Sequence, residues 1–539
     1  MKIKLFNTKF FYKGVFAFLN KNLIIRILRS SYLLRKENPR FMMKIWEDLS
    51  STKIIIKENS ISKFIYGNQT KNIEIFTRQK IISWVGSFKL NKILLIFYSY
   101  KIKIIFPLPR QFQEVLNFNK FSTNTTSSSL LLYFYCLLEI FFSFIIFVKI
   151  VFFEYRNKKF ILKPYVYFDN LEKKNLPINI DDKSEKYDLI TWYASWPENE
   201  KVDIIKYGPI NYGRLKYDNL FIDYLKYKLP PLGSIKKLSF TVWYFSSLFV
   251  SIKSLFTRNW INAFNLSDAL KLKKTSLLEA NYLAKNYLFS FSQYIKRPLW
   301  TYEAETKGSK ITLYNYAASS GGFKGKFGYP HLDLGISSMT WPRIVTWSQQ
   351  NTNYLKDNIN YKVKILSSNT PVNFKDEYYD FNAINKNFIC VFDIAPYRKL
   401  FRSIWCSEET IYDFPYVSLF LNDIFDICTK NKINVVWKKK RNDSEYTPSG
   451  YKNLTKKIVH NKYVHVVNSD IAASRCIKNC KAVISMPFTS TSVIAKFYSK
   501  PSIFYDPKNM INDDDRGGGG ILILHNKKEL EDWIMAKCF

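Results

Sequence analysis

Apolar residues along the C-terminal part of the chain occur in short runs separated by polar turns. The runs at residues 388–392, 434–437, 463–467, 482–485 and 502–505 have the length of buried strands. Helical patterns lie between and after them, at residues 417–429, 471–479, 489–498 and 527–534. Five strands alternating with helices in about 150 residues predict a doubly wound α/β domain over residues 371–539.

The preceding region, residues 161–370, carries a similar but less regular pattern. Runs at residues 188–194, 311–316, 343–347 and 362–366 are typical of strands, whereas residues 277–295 show apolar positions at helical spacing. This alternation predicts a second Rossmann-like domain with a parallel sheet.

Residues 1–160 form a basic N-terminal region with one long apolar segment at residues 130–153. A Ser/Thr-rich stretch before it, residues 122–129, is interpreted as a linker. Between residues 130 and 148 Glu139 is the one charged side chain, and basic residues follow at Lys149, Arg156 and Lys158. The length suits a bilayer crossing, but a buried carboxylate is costly there, so a surface-lying or core helix is the alternative. A second apolar stretch, residues 238–256, is interpreted as an amphipathic or core helix.

The net charge of +37 changes this picture by indicating attraction to polyanions. The basic residues are dispersed, and the chain contains no zinc-finger spacing or RNP-type motif, so an anionic membrane surface or phosphorylated small molecules are favoured over nucleic acid. The seven cysteines form no CxxC pair, which argues against a zinc site and suits a reducing compartment. No secretory signal is recognised near Met1.

The most specific local signal is the hydroxyl-rich segment that follows the apolar run 482–485. Thr489, Ser490, Thr491 and Ser492 open a helical pattern there. A helix start offers unpaired N–H groups and the positive end of the helix dipole, which suit a phosphate. An ordinary helix cap needs one such residue, so four in a row favour phosphate binding.

Two further segments are candidates for contacts with the same phosphates. Lys438, Lys440 and Arg441 follow the run 434–437, where they either line the ligand crevice or form a solvated charge run. Arg516, Gly517 and Gly518 begin a glycine run that either lets the backbone approach a ligand or forms a mobile loop. The aspartates at residues 513–515 are interpreted as solvated loop, so no metal site is expected.

Candidates for the group that deprotonates an acceptor hydroxyl lie in the preceding domain. Glu303 and Glu305 precede the run 311–316, and His331 and Asp333 lie in a glycine-rich loop. A lone loop histidine is more often without a catalytic role, and the sequence does not choose among the four.

The segment 482–507, with Pro487-Phe488-Thr489-Ser490 at its centre, resembles the bacterial polysaccharide-biosynthesis family named for that motif. Weaker similarity extends over residues 297–534. The resemblance implies a GT-B-like α/β fold, in which two Rossmann-like doubly wound domains face a cleft and an apolar, helical N-terminal region precedes them. It implies a metal-independent glycosyltransferase without a bound cofactor, which moves a sugar from a nucleotide-sugar donor to a surface-polysaccharide or lipid-linked acceptor.

This activity predicts a location at the cytoplasmic face of the bacterial inner membrane, peripheral or singly anchored. The alternative is a non-catalytic polysaccharide-assembly protein that keeps the fold.

Overall fold

The computed structural model describes residues 41–54, 60–85, 103, 105–154, 166–168, 204–207, 215–217, 220–224, 229–257, 259–290, 296–315, 324, 336–367, 379–381, 384, 387–396, 411, 413–444, 447–469 and 471–538. Apolar helices lie in the N-terminal half of the chain, where the first strands of one α/β sheet lie between them, and a second α/β sheet follows. This arrangement confirms the predicted fold class. The predicted strand at residues 188–194 lies outside the described residues.

The N-terminal helices are α1 (Phe41–Ser51), α2 (Ser60–Tyr66), α3 (Thr70–Val85), α4 (Arg110–Phe118), α5 (Thr125–Val148), α6 (Ser234–Phe256) and α7 (Ile261–Leu277). The predicted linker at 122–129 is wrong, because residues from Thr125 onward form the first turns of α5. Asn124 explains this, since its side chain accepts a hydrogen bond from the N–H of Ser127 and caps the helix.

Within the described part of the chain, two helices are long and apolar enough to cross a membrane, namely α5 with its continuation to Phe153 and α6. In both, one side is buried by protein and the other is exposed. Helix α7 packs beneath them and is buried along most of its length.

In the part of the chain that the structure describes, the first sheet has eight strands: β1 (Val166–Phe168), β2 (Ile204–Tyr207), β3 (Leu215–Tyr217), β4 (Leu220–Tyr224), β5 (Asn286–Ser290), β6 (Lys310–Tyr314), β7 (Arg343–Thr346) and β8 (Lys364–Ser367). Their order is β3-β4-β2-β1-β5-β6-β7-β8, and every pair is parallel except β3–β4. Helices α8 (Trp300–Thr306) and α9 (Gln349–Asn358) connect strands of this sheet.

The predicted helix over residues 277–295 is wrong. Helix α7 ends at Leu277, and residues 286–290 form β5, a central strand between β1 and β6. Tyr287, Leu288 and Phe289 are all buried in it. A strand covered on both faces has a continuous apolar run, which periodicity alone does not distinguish from a buried helix.

Six parallel strands form the second sheet among the described residues: β9 (Phe388–Phe392), β10 (Asn434–Lys438), β11 (Val464–Val467), β12 (Ala482–Ser485), β13 (Ser502–Tyr505) and β14 (Leu522–Leu524). Helices α10 (Phe414–Lys430), α11 (Ser449–Ile458), α12 (Ala473–Asn479), α13 (Ser490–Phe497) and α14 (Lys527–Cys538) connect or follow them. Apolar clusters lie on both faces of the sheet. The five predicted strands are confirmed, and β14 and α11 are additional.

The strand order β11-β10-β9-β12-β13-β14 is the order 3-2-1-4-5-6 of a Rossmann fold. The chain leaves β9 toward one edge through β10 and β11, then crosses to β12 and continues toward the other edge. The strand order therefore reverses between β9 and β12. In open α/β sheets ligands bind at the carboxyl ends of the strands beside such a reversal.

Candidate functional site

The turn from β12 into α13 lies at the reversal of strand order. The N–H of Met486 donates to the carbonyl of Phe392 at 3.0 Å, and the N–H of Ile394 lies 3.2 Å from the Met486 sulfur. The end of β9 is therefore bound directly to the turn. The hydroxyl-rich helix start predicted from the sequence opens at this edge of the sheet.

The turn itself holds a residue in a backbone conformation that is uncommon for a large side chain. Phe488 has φ +59°, in the left-handed region. Its buried ring packs edge-on against Phe504, with centroids 5.6 Å apart. Burial of the ring supplies the stabilisation that holds this backbone strain in place, and strain of this kind clusters at functional sites.

The hydroxyl groups of the helix start divide into two sets. The Thr491 hydroxyl lies 2.7 Å from the Ser485 hydroxyl and 2.9 Å from that of Thr489, which forms a short chain of hydroxyls across the turn. Ser492 is fully buried and donates to the Ile503 carbonyl on β13 at 3.1 Å. Its hydroxyl therefore has a structural partner, whereas the side chains of Thr489, Ser490 and Thr491 are only partly buried.

The predicted cations lie at the same edge of the sheet, two strands away. Lys438 on β10 is in register with Phe392, which is in register with Ser485. Two strand spacings of ~4.8 Å place the Lys438 and Ser485 backbones roughly 10 Å apart.

The cations of this segment differ in their surroundings. Lys439 is buried, pairs with Asp443 at 2.8 Å and lies over the Tyr451 ring. Lys440 and Arg441 are exposed. The protein atoms that crowd Lys440 lower its pKa, as do the charges of Arg441 and Lys438, although its side chain keeps contact with solvent. Lys440 and Arg441 are therefore in contact with solvent, whereas Lys439 is buried against Asp443 and Tyr451.

Asp393, directly after β9, is a residue of this edge that the sequence did not assign to the site. It is 2% exposed, and the Tyr451 hydroxyl on α11 donates to its Oδ2. Its Oδ1 has no hydrogen-bond partner among the described residues. Burial raises the pKa of Asp393 to about 6, although Tyr451, Trp437 and Lys439 oppose the rise. The signal that could have identified it is a carboxylate placed directly at the end of a fully apolar strand.

The loop after β13 is shaped by a second buried aspartate, Asp506. Its carboxylate accepts the Tyr416 hydroxyl at 2.7 Å and the N–H groups of Met510 and Ile511 at 2.5 and 2.7 Å. Asp513, further along this loop, contacts the His525 Nε2 at 2.8 Å. These bonds fix the path of the chain toward Arg516.

The predicted loop Arg516-Gly517-Gly518 contacts both the turn and the first sheet domain. A Cβ on Gly517 would lie 2.5 Å from the Phe488 ring, so glycine permits this contact. Arg516 lies over the Tyr354 ring on α9, and its carbonyl accepts from Gln350. Asp515 accepts the N–H of Lys324 at 2.7 Å. The loop therefore joins the β12–α13 turn to the first domain.

The candidate bases do not meet this loop in the described residues. Glu303 and Glu305 lie on α8, which leads into the amino end of β6. At this end of the sheet the Ser309 hydroxyl donates a hydrogen bond to the carbonyl of Ala284, just before β5. Glu303 accepts from Gln69 at 3.1 Å, and Glu305 pairs with Arg297. His331 and Asp333 lie outside the described residues. Among the described residues no three His, Cys, Asp or Glu side chains are grouped to hold a metal.

The family model described as polysaccharide biosynthesis PFTS motif protein matches residues 249–534. The chain belongs to this family. The match extends from the C-terminal end of α6 to α14 and includes the turn where Pro487-Phe488-Thr489-Ser490 supplies the letters of the PFTS motif. The resemblance inferred from the motif is thereby confirmed, and the motif coincides with the reversal of strand order.

No curated protein sequence matches this PFTS-family chain. Among solved structures, it is similar to the UDP-GlcNAc 2-epimerase of Methanocaldococcus jannaschii in complex with UDP-GlcNAc and UDP, at 12% identity and a TM-score of 0.31 over 51% of this chain and 74% of that one. It is also similar to Anabaena HepE in complex with UDP and glucose, at 9% identity and a TM-score of 0.32 over 69% and 89%. The strand order of its second sheet is itself that of a Rossmann fold.

Proposed function

We propose that this protein is a GT-B-like glycosyltransferase of polysaccharide biosynthesis that binds a nucleotide-sugar donor at the β12–α13 turn. One observation carries the proposal: the PFTS turn opens a helix at the reversal of strand order in a Rossmann-like sheet. Membership of a polysaccharide-biosynthesis family supports the choice of a sugar substrate.

In this proposal the donor phosphates lie against the first turn of α13. The N–H groups of that turn, the hydroxyls of Thr489, Ser490 and Thr491, and the positive end of the helix dipole stabilise negative charge that grows on the leaving diphosphate. Lys440 and Arg441, with Lys438, approach from the end of β10. These groups neutralise a leaving phosphate without a metal, which is why we expect neither metal nor cofactor.

The acceptor in this proposal is a surface polysaccharide or its lipid-linked precursor, at the cytoplasmic face of the bacterial inner membrane. Its hydroxyl attacks the anomeric carbon and passes its proton to a base. Glu303 and Glu305 contact Gln69 and Arg297 at the amino end of the first sheet, which favours His331 or Asp333 among the four candidates.

Binding of nucleotide sugars tests the donor site. A panel of UDP-, GDP-, CMP- and dTDP-sugars is screened by thermal shift, because a ligand of the native state raises Tm, and affinity is then measured by calorimetry. The Ser490→Ala/Thr491→Ala variant is expected to bind the selected donor at least about tenfold more weakly, since charge-assisted hydrogen bonds are lost.

The matched control is Ser418→Ala/Thr455→Ala, which removes two hydroxyls from α10 and α11 of the same domain. It should bind the donor with unchanged affinity. Equal affinity of the protein and the Ser490/Thr491 variant would refute the phosphate site.

The alternative, a non-catalytic assembly protein with the same fold, is favoured by the position of Glu303 and Glu305 away from the β12–α13 turn. It predicts donor binding without turnover. Release of nucleoside diphosphate that depends on added acceptor membranes separates it from the transferase.

A further inference from the structure

Helices α5 and α6 expose an unusual amount of apolar surface. On α6 the outward side chains recur every three or four residues, and several are more than 60% exposed: Ile235, Leu238, Val242, Phe249 and Phe256. On α5 and its continuation the outward side chains include Leu130, Phe134, Leu137, Phe141, Phe144 and Phe153. Contiguous exposed apolar surface of this extent marks an interaction site.

The inward face of α5 is different, because it carries polar groups bound to protein. The Glu139 carboxylate lies 3.2 Å from the Lys80 Nζ and accepts the Tyr135 hydroxyl at 2.6 Å. Lys80 also pairs with Asp268 on α7 at 3.0 Å. Burial opposes the charge on Lys80, but Asp268 and Glu139 outweigh it and hold its pKa above the ordinary value. The carboxylate within the apolar segment is therefore explained by a buried ion cluster.

This inward face is attached to α7 along its length. At the start of α7 the Cys136 thiol contacts the carbonyl of Trp260, and near the end of α7 Glu154 pairs with Lys274 at 2.5 Å. A helix crossing a bilayer here would carry α7 and its charged contacts into the hydrocarbon, where each buried charge is costly. The geometry therefore favours a helix with one face on the protein and the other facing outward.

The charge on these helices selects the occupant of the outward face. Helix α6 contains no acidic residue, and the one acid of α5, Glu139, is buried. Lys149 and Lys253 are exposed on the two helices, in a chain whose net charge is +37. A second copy would bring like charges together, whereas anionic headgroups complement them.

We propose that α5 and α6 form a monotopic docking surface, whose outward faces lie within one leaflet of an anionic bilayer without crossing it. An amphipathic helix in this position sinks about 5–10 Å into the headgroup–acyl boundary. The surface is defined by the outward apolar side chains of the two helices.

Co-flotation of the full-length protein with vesicles tests the surface. Binding is expected to vesicles containing phosphatidylglycerol in phosphatidylcholine, and to be weaker for phosphatidylcholine alone or at high salt. The Leu238→Ser/Phe249→Ser variant should reduce the partition coefficient at least about tenfold. The control Val459→Ser/Leu522→Ser removes exposed apolar side chains from the second sheet domain and should leave partitioning unchanged.

Orientation is tested by labelling cysteines at the two ends of α5, Thr126→Cys and Lys149→Cys, with a membrane-impermeant maleimide after the protein binds preformed vesicles. Both ends should be labelled above the parent protein, and protection of one end alone would overturn the in-plane arrangement. Unchanged flotation of the Leu238→Ser/Phe249→Ser variant would also overturn the proposal. If that variant floated unchanged but no longer formed a dimer that the parent forms without lipid, the surface would be an interface between two copies of the chain. Donor binding is measured separately without vesicles, so that failure of the membrane docking surface is distinguished from failure of the proposed function.

Discussion

Replacing Asp393 by Asn is expected to stabilise the protein above neutral pH. The carboxyl is buried, one oxygen accepts the Tyr451 hydroxyl, and burial raises its pKa to about 6 from 3.8. A raised carboxyl pKa means that the folded state binds the proton more tightly than the unfolded state. The contribution to stability is therefore present in full below pH 3.8 and is lost as pH rises through 6.

The magnitude follows from that difference. A shift from 3.8 to about 6 corresponds to a cost of about 3 kcal/mol when Asp393 is ionised in the folded protein. Asparagine has nearly the same shape and no charge, so it removes the cost at pH 8. At pH 5 the native carboxyl is mostly protonated, and the gain should be about 1.4 kcal/mol smaller than at pH 8.

Urea unfolding at pH 5 and pH 8, followed by circular dichroism and tryptophan fluorescence, measures the effect as the difference in free energy of unfolding between variant and parent. The control is Asp532→Asn on α14, which changes an exposed carboxylate and should have the same small effect at both values of pH.

A variant that is less stable than the parent at pH 8, or whose gain does not depend on pH, would refute this reasoning. It would mean that Asp393 is stabilised in its ionised form by partners such as Tyr451 and Lys439. A variant that is more stable but binds the donor more weakly would indicate that Asp393, at the reversal of strand order, serves donor binding at a cost in stability.

Two further substitutions test the packing around the site and beneath the docking surface. Gly517→Ala places a Cβ against the Phe488 ring and should lower Tm and weaken donor binding about tenfold. Gly518→Ala, whose Cβ would lie 3.7 Å from Ile523, should be nearly neutral. Equal donor affinities of the two variants in calorimetry would contradict the predicted effect of the Gly517–Phe488 contact. Lys80→Met removes the cation between Glu139 and Asp268 and should destabilise the protein by about 3–5 kcal/mol in urea unfolding. Lys71→Met, on the exposed side of α3, should change stability by less than about 0.5 kcal/mol. Similar losses for both variants would show that the ion cluster is not required.

The strands of the second sheet could be predicted because each is a short apolar run that ends in a polar residue or proline. Phe388–Phe392, Ala482–Ser485 and Ser502–Tyr505 have the predicted bounds. Strand β14 was missed because it has three residues, and α11 because only Tyr451 and Ile458 are buried in a polar sequence. A short or mostly polar element is stabilised by tertiary contacts that its own pattern does not display.

The helix start at Ser490 could be predicted from local sequence, but the direction of each side chain could not. Ser492 differs from Ser490 only by its position on the helix, which aims its hydroxyl at β13. The pairing of Asp393 with Tyr451 joins residues 58 apart in sequence, and it depends on the placement of α11 beside β9. The cost of Glu139 within an apolar segment follows from the sequence, but its partner Lys80 lies on another helix and could not be predicted.

The most direct test of the donor site is a crystal structure of the protein with the nucleotide sugar selected by the thermal-shift screen. The account predicts phosphate oxygens about 2.7–3.2 Å from the N–H groups of the first turn of α13, with Lys440 or Arg441 on the other side. A diphosphate bound elsewhere, with this turn closed against neighbouring chain, would contradict it.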